Sequence, residues 1–153
     1  MKVSFKLNGK LVEVDVSPNT TLLDVLRRKL SILSVKRGCE RGECGACTVL
    51  MDGNPVCSYL ILAPQVEGRE IITIEYLSKG GEIHPIQEAF IEAGAIQCGF
   101  CTPGFILTVY ALLKKNPNPN INEIKKALEG NLCRCIGYAK IIKAVQRAVS
   151  KKL

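Results

Sequence analysis

The sequence predicts an α+β protein, in which a small mixed sheet with one helix is followed by a bundle of four short helices. In the first half of the chain apolar residues alternate with polar ones, whereas in the second half they recur about every 3.6 residues. Eight cysteines fall into two sets of four, one set in each half. The period changes near Ser78-Lys79-Gly80-Gly81, so we expect one domain at residues 1–78 and another at residues 79–153.

The first half opens with a predicted β-hairpin and a helix. Alternating residues 3–7 and 12–16 flank Asn8-Gly9, a dipeptide typical of two-residue hairpin turns. Thr21 and Asp24 have the spacing of a capping box, and leucines follow on one face. These signals predict a helix over residues 21–30.

The remaining strands of the predicted sheet are short. Residues 48–51 and 71–74 have the composition of strands, and residues 56–62 form an apolar stretch between them. Asp52-Gly53 and Glu67-Gly68 are turn dipeptides. Together with the hairpin and the helix, these segments predict a sheet folded across one helix, the β-grasp arrangement.

The second half contains four predicted helices, each with recognisable start and stop residues. They run from His84-Pro85 to Gly94, from Thr102-Pro103 to a linker at residues 116–119, from Asn120 to Gly130, and from Tyr138 to Lys151. His84 is the only histidine of the chain, and we expect it to cap the first of these helices. The cysteines of this half lie in loops between the helices, where they can converge.

The first cysteine set begins in a glycine-rich loop. Cys39, Cys44 and Cys47 stand at x4 and x2 spacing, which is the loop spacing of a plant-type 2Fe–2S site. Glycine and alanine between them let backbone N–H groups approach the inorganic sulfides of such a cluster. A fourth thiolate must come from elsewhere, and Cys57 is the nearest candidate.

The second cysteine set consists of Cys98, Cys101, Cys133 and Cys135. A CxxC pair with a CxC pair fits either a 2Fe–2S cluster or a zinc ion held by four thiolates, so the spacing alone leaves both open. The x4 and x2 spacing of the first set is unlike that of zinc ribbons. A Rieske centre is excluded because it needs two histidine ligands and the chain has one histidine.

Composition restricts the function further. The formal charge is +7, but thiolates and oxidised clusters would bring the loaded protein to about +3. No basic run exceeds three residues and tryptophan is absent, so we expect no nucleic-acid partner. No segment approaches the ~18 apolar residues of a membrane span. We expect a cytoplasmic protein without a membrane partner, whose cysteines bind metal rather than form disulfides.

Three long motifs carry a resemblance to a known family. Residues 38–49, 97–104 and 130–138 resemble the iron–sulfur small subunit of the molybdenum hydroxylases, the xanthine oxidase family, whose members include aldehyde-oxidising and carbon monoxide dehydrogenase types. The resemblance implies a plant-type ferredoxin-like β-grasp domain and a four-helix domain, each with one 2Fe–2S cluster. It also implies that the second cysteine set binds a cluster rather than zinc.

The same resemblance implies a role in a heterotrimer. Electrons would pass from molybdopterin on a large subunit, through the helical-domain cluster and then the β-grasp cluster, to FAD on a medium subunit. This chain would itself carry out no substrate chemistry. Gln97 would hydrogen-bond the pterin, Cys135 would lie near the pterin amino group while ligating iron, and Gly42 and Glu43 would lie on the flavin side. The partner interface is expected where four residues approach the surface: Cys44, Gly45, Gln97 and Cys135.

One position departs from the family pattern. The usual Asp-Gly-x-x-Val-x-Ser-Cys places the fourth ligand of the first cluster at position 59, which is Tyr59 in this chain. Cys57 lies two residues earlier, roughly 6.6 Å along a strand but on the same face. A register shift or bulge could bring it to the iron. A Tyr59 phenolate or an incomplete cluster are the alternatives, and a soft thiolate ligand is favoured over both.

Two other functions remain open on the sequence alone. One is a free-standing ferredoxin with two clusters, which would diffuse between transient partners. The other is a zinc-stabilised interaction module without redox function. The substrate of a complex cannot be read from this chain, because the substrate-binding residues would lie on another subunit.

Overall fold

The computed structural model describes residues 1–151 and contains a five-stranded mixed sheet and a helical C-terminal half. The strands are β1 (Lys2–Leu7), β2 (Lys10–Asp15), β3 (Thr48–Met51), β4 (Asn54–Cys57) and β5 (Glu70–Ile72). Their spatial order is β2-β1-β5-β3-β4, with β1 and β5 parallel and the other neighbours antiparallel. The predicted combination of a mixed sheet with helices is therefore confirmed.

The hairpin and the first helix form where the sequence predicts them. Asn8 and Gly9 have φ values of 51° and 82°, the left-handed pair that a tight two-residue hairpin turn requires. The helix begins as α1 (Leu22–Asp24), with Thr21 as its cap, and continues as a π-helical segment (Val25–Lys29). That wider turn is closed by the Leu30 N–H, which donates to the Val25 carbonyl over 3.1 Å.

The last strand ends earlier than predicted. β5 stops at Ile72 because the backbone N–H of Thr73 donates to the Asn8 side chain over 2.9 Å, outside the ladder. The Asn8 amide also donates to the Thr73 hydroxyl over 2.9 Å. A 3-10 turn, Ile74–Tyr76, then leads out of the sheet toward the helical half.

Four helices follow at the predicted places. They are α2 (Pro85–Glu92), α3 (Thr102–Lys115), α4 (Ile121–Leu128) and α5 (Tyr138–Val149). His84 caps α2 as predicted, because its Nδ1 accepts the Ile86 N–H over 3.2 Å. α5 ends two residues before the predicted Lys151, and residues 152–153 of the predicted second domain lie outside the described residues. No helix within residues 1–151 combines the length and apolar composition of a membrane span.

Two hydrophobic cores lie on either side of a smaller joint. One core packs the sheet against the first helix, and the other fills the space between α2, α3, α4 and α5. The joint consists of Leu50 and Ile72 from the sheet and Leu107 and Ala111 from α3. Because this joint is buried, the two halves are packed together and the cysteine loops at their border can touch.

Candidate metal centres

The first cysteine loop surrounds its sulfurs with backbone N–H groups. Cys39 Sγ accepts the N–H groups of Arg41, Glu43 and Cys44 at 3.3 to 3.4 Å. Cys44 Sγ accepts those of Cys39 and Ala46 at 3.4 and 3.5 Å. The N–H groups of Cys44 and Arg41 lower the pKa of Cys39 to about 7, against the opposing effect of burial. Donors aimed at sulfur favour the thiolate, which is the form that binds metal.

The other two sulfurs of this set form a second pair. Cys47 is buried directly before β3, and Cys57 ends β4 with its Sγ 3.8 Å from the Gly42 carbonyl oxygen. The Cys57 thiol donates to Cys47, so it lowers the pKa of Cys47 to about 6 and its own pKa is raised. The N–H of Tyr59 and the Ser58 hydroxyl also stabilise the Cys47 thiolate.

The position of Cys57 needs no bulge. β3 and β4 pair without interruption from Met51 opposite Asn54 to Thr48 opposite Cys57. The bulge that the sequence allowed is absent from this ladder, since the tight Asp52-Gly53 turn, with φ values of 50° and 79°, sets a regular register. A regular register of this length places Cys57 beside the cysteine loop.

Tyr59, the alternative ligand, has a different environment. It lies in a 3-10 turn, Ser58–Leu60, and its side chain packs against the core of the sheet. Cys57 also packs against this core. The next residue, Leu60, is 58% exposed and covers Gly42, where a Cβ atom would collide with its side chain. Glu43 is exposed beside this leucine-covered turn.

The second cysteine set also forms two pairs. The pKa of Cys101 is raised to about 12, mainly by burial and secondly by the hydrogen bond that its thiol donates to Cys133. Burial acts to raise the pKa of Cys133, but backbone N–H groups, first that of Ile136, outweigh it and leave the pKa below its ordinary value. Cys135 donates to Cys98, which raises the pKa of Cys135. The loops of the second half therefore converge, as predicted from their positions between helices.

A cavity of about 610 Å³ lies beside these four thiols. Its lining comprises Cys44 of the first set, all four cysteines of the second, and Phe100, Leu132, Arg134 and Tyr138. α3 begins directly after Cys101, and α5 begins shortly after Cys135, so two helix N-termini lie near the sulfurs. The positive end of a helix dipole stabilises a nearby thiolate.

The two sets differ in exposure. Cys98 and Cys135 are exposed, and Phe100 and Leu132 at the cavity are 45% and 51% exposed. In the first set Cys47 is buried and the other three thiols are half-buried. The second site therefore opens at the surface of the chain, while the first is largely enclosed.

The donor sets fit 2Fe–2S clusters. Within residues 1–151, no three Cys, His, Asp or Glu side chains gather closely enough to hold a single metal ion. A 2Fe–2S cluster takes four cysteine thiolates, two on each iron. The thiols that the structure pairs are Cys39 with Cys44 and Cys47 with Cys57 in the first set, and Cys101 with Cys133 and Cys98 with Cys135 in the second. Two pairs in each set match the number and grouping of thiolates that such a cluster takes.

The predicted surface residues are only partly at the surface. Gln97 and Cys135 are exposed and Cys44 is half-buried, but Gly45 is buried. The expectation that Gly45 approaches the surface of the chain is wrong, because the loop before α5 packs on it. A Cβ atom at Gly45 would collide with the Gly130 carbonyl oxygen and the Asn131 amide. Gly45 thus joins the two cysteine loops.

Sequence reasoning missed the residues that connect the two sites. The Leu132 N–H donates to the Cys44 carbonyl oxygen over 2.9 Å, which links the loops of the two cysteine sets directly. Asn131 is buried between them. In the sequence, Asn131 is visible only as an asparagine that follows a glycine and precedes a cysteine pair. That pattern does not indicate that its side chain bonds Gly45, which lies 86 residues away.

Comparison with known proteins defines the class of these centres. Residues 5–75 match the family described as 2Fe-2S iron-sulfur cluster binding domain, and residues 73–146 match the family described as [2Fe-2S] binding domain. The two matches cover the first and second cysteine sets respectively. The chain is thus an iron–sulfur protein with two 2Fe–2S-binding domains.

Individual relatives narrow the class. The chain is 50% identical to the nicotinate dehydrogenase small FeS subunit of Eubacterium barkeri, covering 97% of this chain and 95% of that protein. It is 48% identical to the xanthine dehydrogenase iron-sulfur-binding subunit of Escherichia coli, covering 91% and 88%. The crystal structure of quinoline 2-oxidoreductase from Pseudomonas putida 86 contains a chain that matches with a TM-score of 0.94 and 42% identity, covering 98% and 94%.

These likenesses extend over nearly the whole chain. The protein belongs to the family of iron–sulfur subunits of xanthine dehydrogenase-type oxidoreductases, the molybdenum hydroxylase family that its three motifs resemble.

Proposed function

We propose that this chain is the electron-transfer subunit of a molybdenum-dependent hydroxylase complex, relaying electrons from a molybdopterin site to FAD on partner subunits. The observation that carries the proposal is the convergence of eight cysteines into two sites, each made of two thiol pairs. Bound 2Fe–2S clusters would supply one-electron transfer. No residue of this chain is assigned a role in substrate chemistry.

The chain itself holds the thiolates in place and limits the access of water to the two sites. Backbone N–H groups directed at Cys39 and Cys133 lower the pKa of both thiols and so favour their thiolates, and the Cys44 sulfur also accepts backbone N–H groups. Hydrogen bonds to sulfur and burial are also the means by which a protein sets the potential of an iron–sulfur site. The first site is more enclosed than the second, so the two sites offer different electrostatic surroundings.

The ligands of the first site are proposed to be Cys39, Cys44, Cys47 and Cys57. The support for Cys57 is its contact with Cys47 and its position at the end of a regular β3–β4 ladder. Tyr59 is proposed to be a core residue instead of a ligand, in line with its packing against the sheet. The ligands of the second site are proposed to be the remaining four cysteines.

The partner contacts are proposed to lie at two surfaces. Around the second site, exposed Gln97 and Cys135 would face the pterin of a large subunit, and partner residues would cover the open cavity. Around the first site, Gly42 and the exposed Glu43 would face the FAD of a medium subunit. We infer these two partner subunits from the family resemblance. The relatives described as small subunits support an assembly of this kind.

We extend the proposal to the division of the chain into two domains. Residues 1–78 would form a β-grasp ferredoxin-like domain with the first cluster, and residues 79–153 a four-helix domain with the second. The sheet order and the separate cores of the described residues support this division.

The test is metal analysis of anaerobically purified protein with an electron-paramagnetic spectrum after dithionite reduction. We expect about four irons and four sulfides per chain and two distinguishable 2Fe–2S signals. Zinc without sulfide would contradict the proposal. Purification from its native host should also recover a large and a medium subunit, and a monomer that exchanges electrons with unrelated reductases would contradict the subunit role.

A further inference from the structure

A buried asparagine lies between the two cysteine loops. Asn131 is only 3% exposed, although an amide side chain is costly to bury unless its polar atoms are paired. It follows α4 and stands two residues before Cys133. It is neither a metal ligand nor a helix cap, so the proposed function leaves its burial unexplained.

The amide makes three hydrogen bonds to two other segments. Its Nδ2 donates to the Gly45 carbonyl oxygen over 3.2 Å and to the Thr48 hydroxyl over 3.3 Å. Its Oδ1 accepts the Thr108 hydroxyl of α3 over 2.9 Å. Because the Thr48 hydroxyl donates its own proton to Gly45 over 2.6 Å, it can only accept from Asn131. The orientation of the amide is therefore determined by its partners.

The backbone around this amide is closely packed. A Cβ atom at Gly104 would lie 2.5 Å from the Gly45 carbonyl oxygen. At Gly45 it would collide with the Asn131 amide itself. We name the group formed by Gly45, Thr48, Thr108 and Asn131 the loop junction. Close backbone contact on both sides makes it a rigid connection between the sheet, α3 and the loop before α5.

The loop junction is attached directly to both metal sites. Gly45 is the neighbour of Cys44, and Asn131 is connected through Leu132 to Cys133. We propose that Asn131 is a positioning residue that fixes the distance and relative orientation of the two 2Fe–2S sites. The inference rests on the proposed function, because it requires both sites to hold clusters.

The test measures the magnetic interaction between the two reduced clusters. The dipolar coupling of two unpaired spins falls with the cube of their separation and depends on its direction, so it reports relative placement. The variant is Asn131→Asp, which keeps the size of the side chain but replaces the donating amide by an acceptor. A carboxylate cannot bond the Gly45 oxygen, so we expect the loop junction to open and the splitting in the low-temperature electron-paramagnetic spectrum to change, with about four irons retained.

A second variant and a control complete the test. Thr108→Val removes the hydrogen bond to Oδ1 with little change of shape, and we expect a smaller change of the same splitting. The control is Asn54→Ala, which removes an exposed bond between the two halves, from Lys115 Nζ to Asn54 Oδ1 at 2.7 Å. We expect no change of splitting there. If Asn131→Asp does not fold, the positioning role is tested by the change of splitting in Thr108→Val alone.

The outcomes separate the two proposals. Parent protein without four irons and two signals would contradict the proposed function itself. Fully loaded variants with the parental splitting, even if less stable, would show that Asn131 contributes to stability only and would overturn the positioning role.

Discussion

At the scale of single residues, Cys57 and Tyr59 are the two candidates for the fourth ligand of the first site. Cys57 and Tyr59 face the same core, but only Cys57 contacts Cys47 through its side chain. The proposed ligand Cys57 is the last residue of the β3–β4 ladder, and Tyr59 lies beyond it in a 3-10 turn.

Replacing Cys57 tests this assignment. We expect Cys57→Ala to lower the iron content from about four to about two per chain and to remove one 2Fe–2S signal, because three thiolates do not complete the site. Ser58→Ala, which alters the buried neighbour but no thiol, is the matched control and should retain four irons. Adding Tyr59→Cys to Cys57→Ala returns a thiol to the usual family position and should restore part of the iron. Full iron content in Cys57→Ala alone would exclude this ligand.

A glycine comparison tests the close packing at the border of the halves. Gly45 and Gly68 both have φ +70°, but a Cβ atom meets no other atom within 4 Å at Gly68. The left-handed backbone costs an alanine roughly 1–2 kcal/mol at either site. We expect Gly45→Ala to lose roughly a further 1–3 kcal/mol from overpacking against the second loop, as measured by denaturant unfolding. Equal losses in the two variants would refute the contact.

At the scale of secondary structure, caps and turns account for most boundaries. Thr21, His84 and Asn120 accept backbone N–H groups where their helices begin, and each is recognisable from its sequence. The π-helical segment and the early end of β5 were not predicted. Both depend on individual hydrogen bonds, from Leu30 to Val25 and from Thr73 to Asn8, that no periodic pattern encodes.

The histidine cap makes the stability of α2 depend on pH. Burial, followed by repulsion from Lys114, lowers the pKa of His84 below its ordinary value near 6.5. A lowered pKa means that the folded state favours the neutral ring, which is also the form whose Nδ1 accepts from Ile86. The stabilisation is thus complete above about pH 6.5 and is lost as the pH falls through the folded-state pKa.

Thermal unfolding between pH 5 and pH 8 measures this effect. We expect the parent protein to lose more stability on acidification than His84→Asn, whose side chain can cap the helix without titrating. Because the chain has one histidine, its ring resonances can be followed directly by NMR. A ring pKa above 6.5 would contradict the assignment.

At the scale of the whole molecule, the two sites differ in how much the chain itself protects them. The second site has two exposed thiols and an open cavity, whereas the first is enclosed by its loop, β4 and Leu60. A small protein with two modest cores is also expected to gain stability from bound metal.

A chelator should therefore remove the cluster of the second site before that of the first site. When the isolated chain is incubated anaerobically with a chelator, we expect the signal of the second site to decay first and that of the first site to persist. Single-site variants, Cys57→Ala and Cys98→Ala, identify which signal belongs to which site. Faster loss from the first site would show that exposure of the thiols does not control the order.

The sequence by itself determined the two cysteine sets, the mixed sheet with its helices, and the family, because ligand spacing, periodicity and caps are local patterns. It also pointed to Cys57 as the available thiol. Only the tertiary structure decided that a regular hairpin register brings Cys57 to Cys47, that Gly45 is buried, and that Asn131 connects the two loops. Each of these depends on contacts between segments distant in sequence, and such contacts form only when the two cores and their joint pack together.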